Sequence, residues 1–266
     1  MSFYAQEPQT IGKVLDNAFR LYKASFKEAV LFSFLYASIV SMPEIIFALI
    51  PGDVPELGPT ATSIYWIVFV IALTIGVVFY NGFFFRMHCV AAEEESSNAT
   101  ALNVGLQKLL PIFIATVFCV IAVLLGLVLL IVPGVILMVS LILYSALIIV
   151  DNEKILSSLK RSHKLVWKNW WRTTVVFFVP FIVMVVFSMA IGAIVLLGVG
   201  MIMGPFSDSA TAFQAHGYQA IILISVLGNT IIYTFTMPLL AAVMLIQTND
   251  LKLRKQGTDL EARIAV

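Results

Sequence analysis

Charge is what this chain lacks. Lys, Arg, Asp and Glu make up 12% of its 266 residues, against about a quarter in a typical soluble domain. Hydrophobic residues account for 61%, and the mean hydropathy is +1.00. No single soluble core hides that much apolar surface, which excludes an ordinary cytosolic enzyme; a disordered chain is excluded by the same figures. Sixteen basic and fifteen acidic residues leave a net charge of +1. No field steers the chain toward nucleic acid, and none is expected as a partner. Cysteine is also scarce: Cys89 and Cys119 stand outside any CxxC pair, which excludes a disulfide framework and a zinc site. His88, His163 and His216 are scattered, and the HExxH, GxSxG, P-loop and GxGxxG signatures are missing. The chain therefore reads as non-catalytic, with no catalytic residue, cofactor or metal expected. No secretory leader is visible, because the first long apolar run begins only at Ala29, after Lys13, Arg20, Lys23 and Lys27.

Apolar runs are what the chain has in plenty. A bilayer core about 30 Å thick needs about 20 apolar residues in a helix. Six runs meet that length, at 29–50, 63–85, 110–131, 132–150, 173–204 and 220–247. Leu109–Val150 carries no charge over 42 residues, too many for one span, so Pro133-Gly134 is expected to turn a hairpin. Pro180 and Pro238 are the expected kinks of the two longest spans. All sixteen Lys and Arg residues fall before span one, after spans two and four, or in the tail at 251–266. The connections at 51–62, 132–134 and 205–219 hold none. By the positive-inside rule both chain ends are expected on the cytoplasmic side of a bacterial inner membrane, with those three connections outside.

Residues 11–28 form an amphipathic helix on a wheel. Ile11, Val14, Leu15, Ala18, Phe19, Leu21, Tyr22 and Phe26 share one half, and Lys13, Arg20, Lys23 and Lys27 lie in the other, with Thr10 as the expected N-cap. Residues 153–172 read similarly, with Ile155, Leu156, Leu159, Val166, Trp167, Trp170 and Trp171 on the apolar face and Leu165 on the polar one. Such helices are expected in the headgroup plane, so Lys13, Arg20, Lys27, Lys160, Arg161, Lys164, Trp170 and Trp171 are expected to face lipid headgroups. The fold class expected is all-α: a polytopic membrane protein with six transmembrane helices and basic amphipathic interfacial helices. A third, weaker segment at 100–109 completes three parallel helix-plus-hairpin units, 8–92, 98–151 and 152–250, in one membrane domain.

A few polar residues interrupt the spans. Glu44, after Pro43, is the one carboxylate placed to line an opening, and Asn81 and Asn229 are the polar residues that would continue a solute path. The plainer reading makes Glu44 an outer-end residue meeting water and the asparagines helix-to-helix ties. Gly200 and Gly204 form a GxxxG, and Ser188 and Gly192 a small pair, read here as close internal packing. The lipids of an anionic inner leaflet are the expected partners, with a second copy or a membrane partner protein also open.

Two stretches carry a resemblance. The first is Ile11-Gly12-Lys13-Val14-Leu15-Asp16-Asn17-Ala18-Phe19-Arg20-Leu21-Tyr22 leading into a span. The second runs from Val132-Pro133-Gly134 through a span to Asp151-Asn152, then Ser157-Ser158-Leu159-Lys160-Arg161-Ser162 and Asn169-Trp170-Trp171. This order resembles the YciC-like bacterial inner-membrane proteins and the membrane domain attached to some glycerophosphodiester phosphodiesterases. The resemblance implies a bacterial polytopic membrane protein in envelope or lipid homeostasis, or a partner subunit. It implies no catalytic residues, because the phosphodiesterase activity belongs to a separate soluble domain. A transporter or channel for a small or amphiphilic solute is the alternative.

Overall fold

The computed structural model describes residues 3–49, 59–203 and 218–264, and every regular element among them is a helix. In chain order these are α1 (Ile11–Val40), α2 (Met42–Leu49), α3 (Pro59–Ala92), α4 (Asn98–Gln107), α5 (Leu109–Leu129), α6 (Ile131–Leu141), α7 (Tyr144–Val150), α8 (Ile155–Val166), α9 (Trp170–Met203) and α10 (Tyr218–Ile264), with one tight turn at Trp167–Asn169. Five stretches are long and apolar enough to cross a membrane: Thr62–Ala92, Leu109–Leu129, Ile131–Val150, Ile155–Gly198 and Ile221–Gly257. The molecule is an all-α, polytopic membrane protein. The first expected span, 29–50, is not one continuous helix, because the chain breaks at Ser41 and α2 restarts with Pro43 in its first turn. The connections at 51–62 and 205–219 lie largely outside the described residues, as does Gly204.

The wheel for residues 11–28 finds the correct inward face and the wrong partner. Thr10 caps α1 by accepting from the Lys13 N–H at 3.4 Å. Val14, Ala18 and Leu21 are buried, packed with residues of α3 and α10 in the main apolar core. Residues 11–28 are therefore no separate interfacial helix; they run unbroken into the first apolar run as the start of α1. The tail expected at 251–266 continues the last apolar run as helix, since α10 extends to Ile264.

The leading helices of the chain share a register. α1, α4 and α8 bury the residues three and seven positions after their starts: Val14 and Ala18, Ala101 and Gly105, Ser158 and Ser162. Each rests on an earlier or closing partner: α4 on α3, α8 on α6 and α7, and α1 on α10.

Two helix defects are repaired by serines from neighbouring helices. Pro238 lacks the N–H that would bond the carbonyl of Thr234, four residues back. The Ser33 hydroxyl of α1 donates to that carbonyl at 3.0 Å. The second defect is the break between α6 and α7. There the Leu143 N–H donates to the Ser162 oxygen at 3.2 Å, and the Ser162 hydroxyl donates to the Ser140 carbonyl at 2.8 Å. Backbone groups in an apolar setting must find such partners. This reverses part of the wheel for 153–172: Ser158, Ser162 and Leu165 turn inward, while Leu156, Trp167 and Trp171 face out.

The hairpin α5–α6 also differs from expectation. Its two helices meet backbone to backbone, since a Cβ on Gly126 would stand 2.9 Å from the Gly134 Cα and one on Gly134 would stand 2.7 Å from the Leu127 nitrogen. The base of the hairpin reaches α10 through Asp151 and Lys252, 2.6 Å apart. Near its turn, the Ile136 carbonyl accepts from the Trp170 indole N–H at 3.3 Å, two residues from Arg172, which grips Asp250 of α10. The base of the hairpin thus meets α10 directly, and its α6 limb meets the start of α9. The Pro133-Gly134 turn was expected on the opposite side from residues 154–172; Val132 and Ile136 instead line one groove with Trp167–Arg172. Hydropathy shows that a segment is apolar enough for the membrane, not the direction in which it lies.

Among the described residues, a Cβ on Gly192, Gly198 or Gly200 would meet nothing within 4 Å. Gly134→Ala should destabilise the protein by roughly 1–3 kcal/mol, while Gly192→Ala should leave it unchanged, as read by thermal unfolding in detergent. Ser33→Ala should lower stability measurably, and the loss should shrink when Pro238→Ala restores the missing N–H, as read from a double-mutant cycle.

Candidate functional site

The residues with the densest polar chemistry sit where the starts of α1 and α9 meet the later part of α10. Asp250 is 1% exposed. Its carboxylate accepts from the Gln9 N–H at 2.7 Å, from Arg172 Nε and Nη2 at 3.1 and 2.9 Å, and from Arg254 Nε at 2.8 Å. The Gln9 carbonyl in turn accepts from Arg172 Nη2 at 2.6 Å and from Arg254. Asn249 donates to the Ala5 carbonyl at 3.1 Å. A buried carboxylate persists when it is paired and hydrogen-bonded on this scale. The cluster was not anticipated: Thr248-Asn249-Asp250 read as the place where an apolar run ends, and Gln9 carried no signal.

A second cluster lies on the loop before α8. Asp151 pairs with Lys252, and Arg161 Nη1 lies 3.2 Å from its other oxygen, near enough for an ion pair but out of line for a hydrogen bond. Glu153 accepts from Ser157 and from Arg161 Nη1 at 2.6 Å. The Ser157 hydroxyl first, and the Arg161 guanidinium second, hold the Glu153 carboxyl below its ordinary value. Lys108 donates to Asn152, and burial lowers its ammonium. Arg86, largely buried, pairs with Glu28 and donates to the Ser96 carbonyl. The chain's N-terminal segment, both loops around α4 and α8, and the inner part of α10 are thereby tied together at one end of the bundle.

Of the residues expected to meet headgroups, Lys13, Arg20, Lys27, Lys160, Lys164 and Trp171 are exposed. Two are not free to do so. Arg161 turns toward Asp151 and Glu153, and Trp170 is half-buried with its N–H spent on Ile136. The three solute-path candidates do not converge. Asn81 is buried and ties α3 to α4, its amide donating to the Gly105 carbonyl at 3.3 Å. Glu44, exposed in the first turn of α2, lines an open groove of about 460 Å³ with Tyr65, Ile221, Ile222 and Ser225. Asn229 lines a second groove of about 360 Å³ between α9 and α10, and Ser225 borders both. Among the described residues no three His, Cys, Asp or Glu side chains gather as a metal site. Cys89 and Cys119 are both free thiols.

This architecture defines a polytopic helical membrane protein with a charged, cross-tied end. A family model described as an uncharacterised protein family (UPF0259) matches residues 61–203, just over half of the chain, and the chain belongs to that family. The matched stretch runs from α3 through α9 and so includes the α5–α6 hairpin and the Trp-rich turn. No curated protein and no solved structure matches the chain, and no comparison links it to phosphodiesterase membrane domains.

Asp250→Ala leaves Arg172 and Arg254 around an uncompensated site and should cost about 3–5 kcal/mol, read by denaturant titration in mixed micelles. Glu153 should contribute stability fully above about pH 4.3 and lose it as the pH falls through its lower folded value, because the folded state resists protonation there. Glu153→Gln should flatten the acid limb of the unfolding midpoint against pH; an identical limb in the variant would refute the assignment.

Proposed function

We propose that the chain is a non-catalytic protein of a bacterial cytoplasmic membrane, with both ends on the cytoplasmic side, working in lipid or envelope homeostasis at the anionic leaflet. The YciC-like order of its Pro-Gly hairpin and Leu-Lys-Arg-Ser helix supports this setting. The single observation that carries the reading is the shared end of the bundle. There the exposed cations Lys13, Arg20, Lys27, Lys160 and Lys164 accompany an exposed apolar hairpin and the exposed Trp171. Cations attract anionic headgroups at about 1 kcal/mol each, an indole prefers the interface, and an exposed apolar hairpin seeks acyl chains. A second copy or a membrane partner protein would dock on this assembly in the plane of the bilayer.

A path for a small or amphiphilic solute is the second reading. Its support is the pair of grooves holding Glu44 and Asn229 that meet at Ser225. Loss of efflux of an entrapped fluorescent solute from proteoliposomes on Glu44→Ala would favour transport. Unchanged efflux favours the leaflet role.

In a background with Cys89 and Cys119 replaced by serine, a cysteine at Lys160 should react with an impermeant maleimide only after the cells are permeabilised. Labelling in intact cells would reverse the assigned orientation and remove the anionic leaflet from this end.

A further inference from the structure

The groove between the hairpin and the start of α9 has the form of a lipid seat. It encloses about 610 Å³. Val132 and Ile136 form its apolar wall, and Trp167, Lys168, Trp171 and Arg172 its amphipathic wall. The Trp170 N–H on the Ile136 carbonyl joins the two walls. Arg172 is committed to Asp250 and to the Gln9 carbonyl. Lys168 is exposed and has no ion-pair partner among the described residues, so the groove keeps one uncommitted cation. Trp167 and Trp171 are 58% and 76% exposed. Beside them the hairpin apex presents five consecutive apolar residues, Val128, Leu129, Leu130, Ile131 and Val132, at 67–83% exposure. Beyond the groove α9 continues with outward-facing Val175, Phe178 and Phe181, so apolar surface extends from the groove along the helix.

We propose that this groove binds one anionic phospholipid drawn from the surrounding leaflet. The phosphate sits at the Lys168 ammonium between the two exposed indoles, and the acyl chains lie along Val132, Ile136 and the hairpin apex. The occupant is a lipid rather than a soluble anion, because the cation is single and most of the lining is apolar. A free phosphate would gain one contact and leave the apolar wall uncovered. The proposal rests on the leaflet reading above for the sign of the headgroup.

The test uses the full chain, with Trp66 replaced by phenylalanine, in nanodiscs containing phosphatidylglycerol or phosphatidylcholine brominated along the acyl chains. Bromine quenches the remaining indoles when its lipid occupies the groove. Brominated phosphatidylglycerol should quench at about fivefold lower mole fraction than brominated phosphatidylcholine, the factor for one lysine near a surface. Lys168→Gln should abolish that difference. Lys154→Gln, an exposed change away from the groove and outside the headgroup-facing set, should leave it in place. Equal loss in both variants would overturn the site and leave a diffuse attraction to the leaflet. Equal quenching by the two lipids in the parent protein would overturn the site together with the anionic-leaflet reading.

Discussion

Asp250 is the interaction on which the arrangement depends. One buried carboxylate holds the backbone before α1, the first turn of α9 and the inner part of α10 at a common level. It works because each of its oxygens is taken by a donor and because two guanidiniums balance it. That fixed level adds a polar register mark to the apolar packing of α1 on α10. The Ser33 bond to the Thr234 carbonyl marks the same register deeper in the bundle.

The seating of the hairpin follows from this clamp and from a second one. Asp151 fixes the base of the hairpin to Lys252, and Trp170 fixes its far part beside Arg172. The break between α6 and α7 is affordable because Ser162 supplies both a donor and an acceptor to the opened backbone. The Gly126–Gly134 approach keeps the two hairpin helices close enough to form a thin layer. The result is an apolar layer beside a charged face, and the groove that joins them has one wall from each.

Much of this was legible in composition and periodicity. The apolar runs and the scarcity of charge define an all-helical membrane protein, and the wheel for residues 11–28 puts Val14, Ala18 and Leu21 on the buried face. It could not tell protein from lipid as the covering, because both accept the same apolar side chains. The wheel for 153–172 misplaced Leu165 and overlooked Ser158 and Ser162, since serine is scored as polar while here it repairs a helix break. Hydropathy measured the hairpin and left its direction undetermined. Gln9 and Asp250 were silent because their partnership joins positions 241 residues apart. Glu44 and Asn229 do lie at neighbouring grooves, whereas Asn81, similar to them in a sequence scan, is a helix-to-helix tie.

The packing of α1 against α10 has a consequence for biogenesis. Gln9 is made before every helix of the bundle, yet the carboxylate it binds is built only after α1 to α9. Until α10 arrives, the buried face of the first helix has lost one of its two main neighbours, and Arg172 waits without its counter-ion. Closing so long a loop is slow, so assembly is completed last beside α1, the first helix of the bundle to be made. A chain interrupted after α9 would therefore be faulty at its beginning as well as its end.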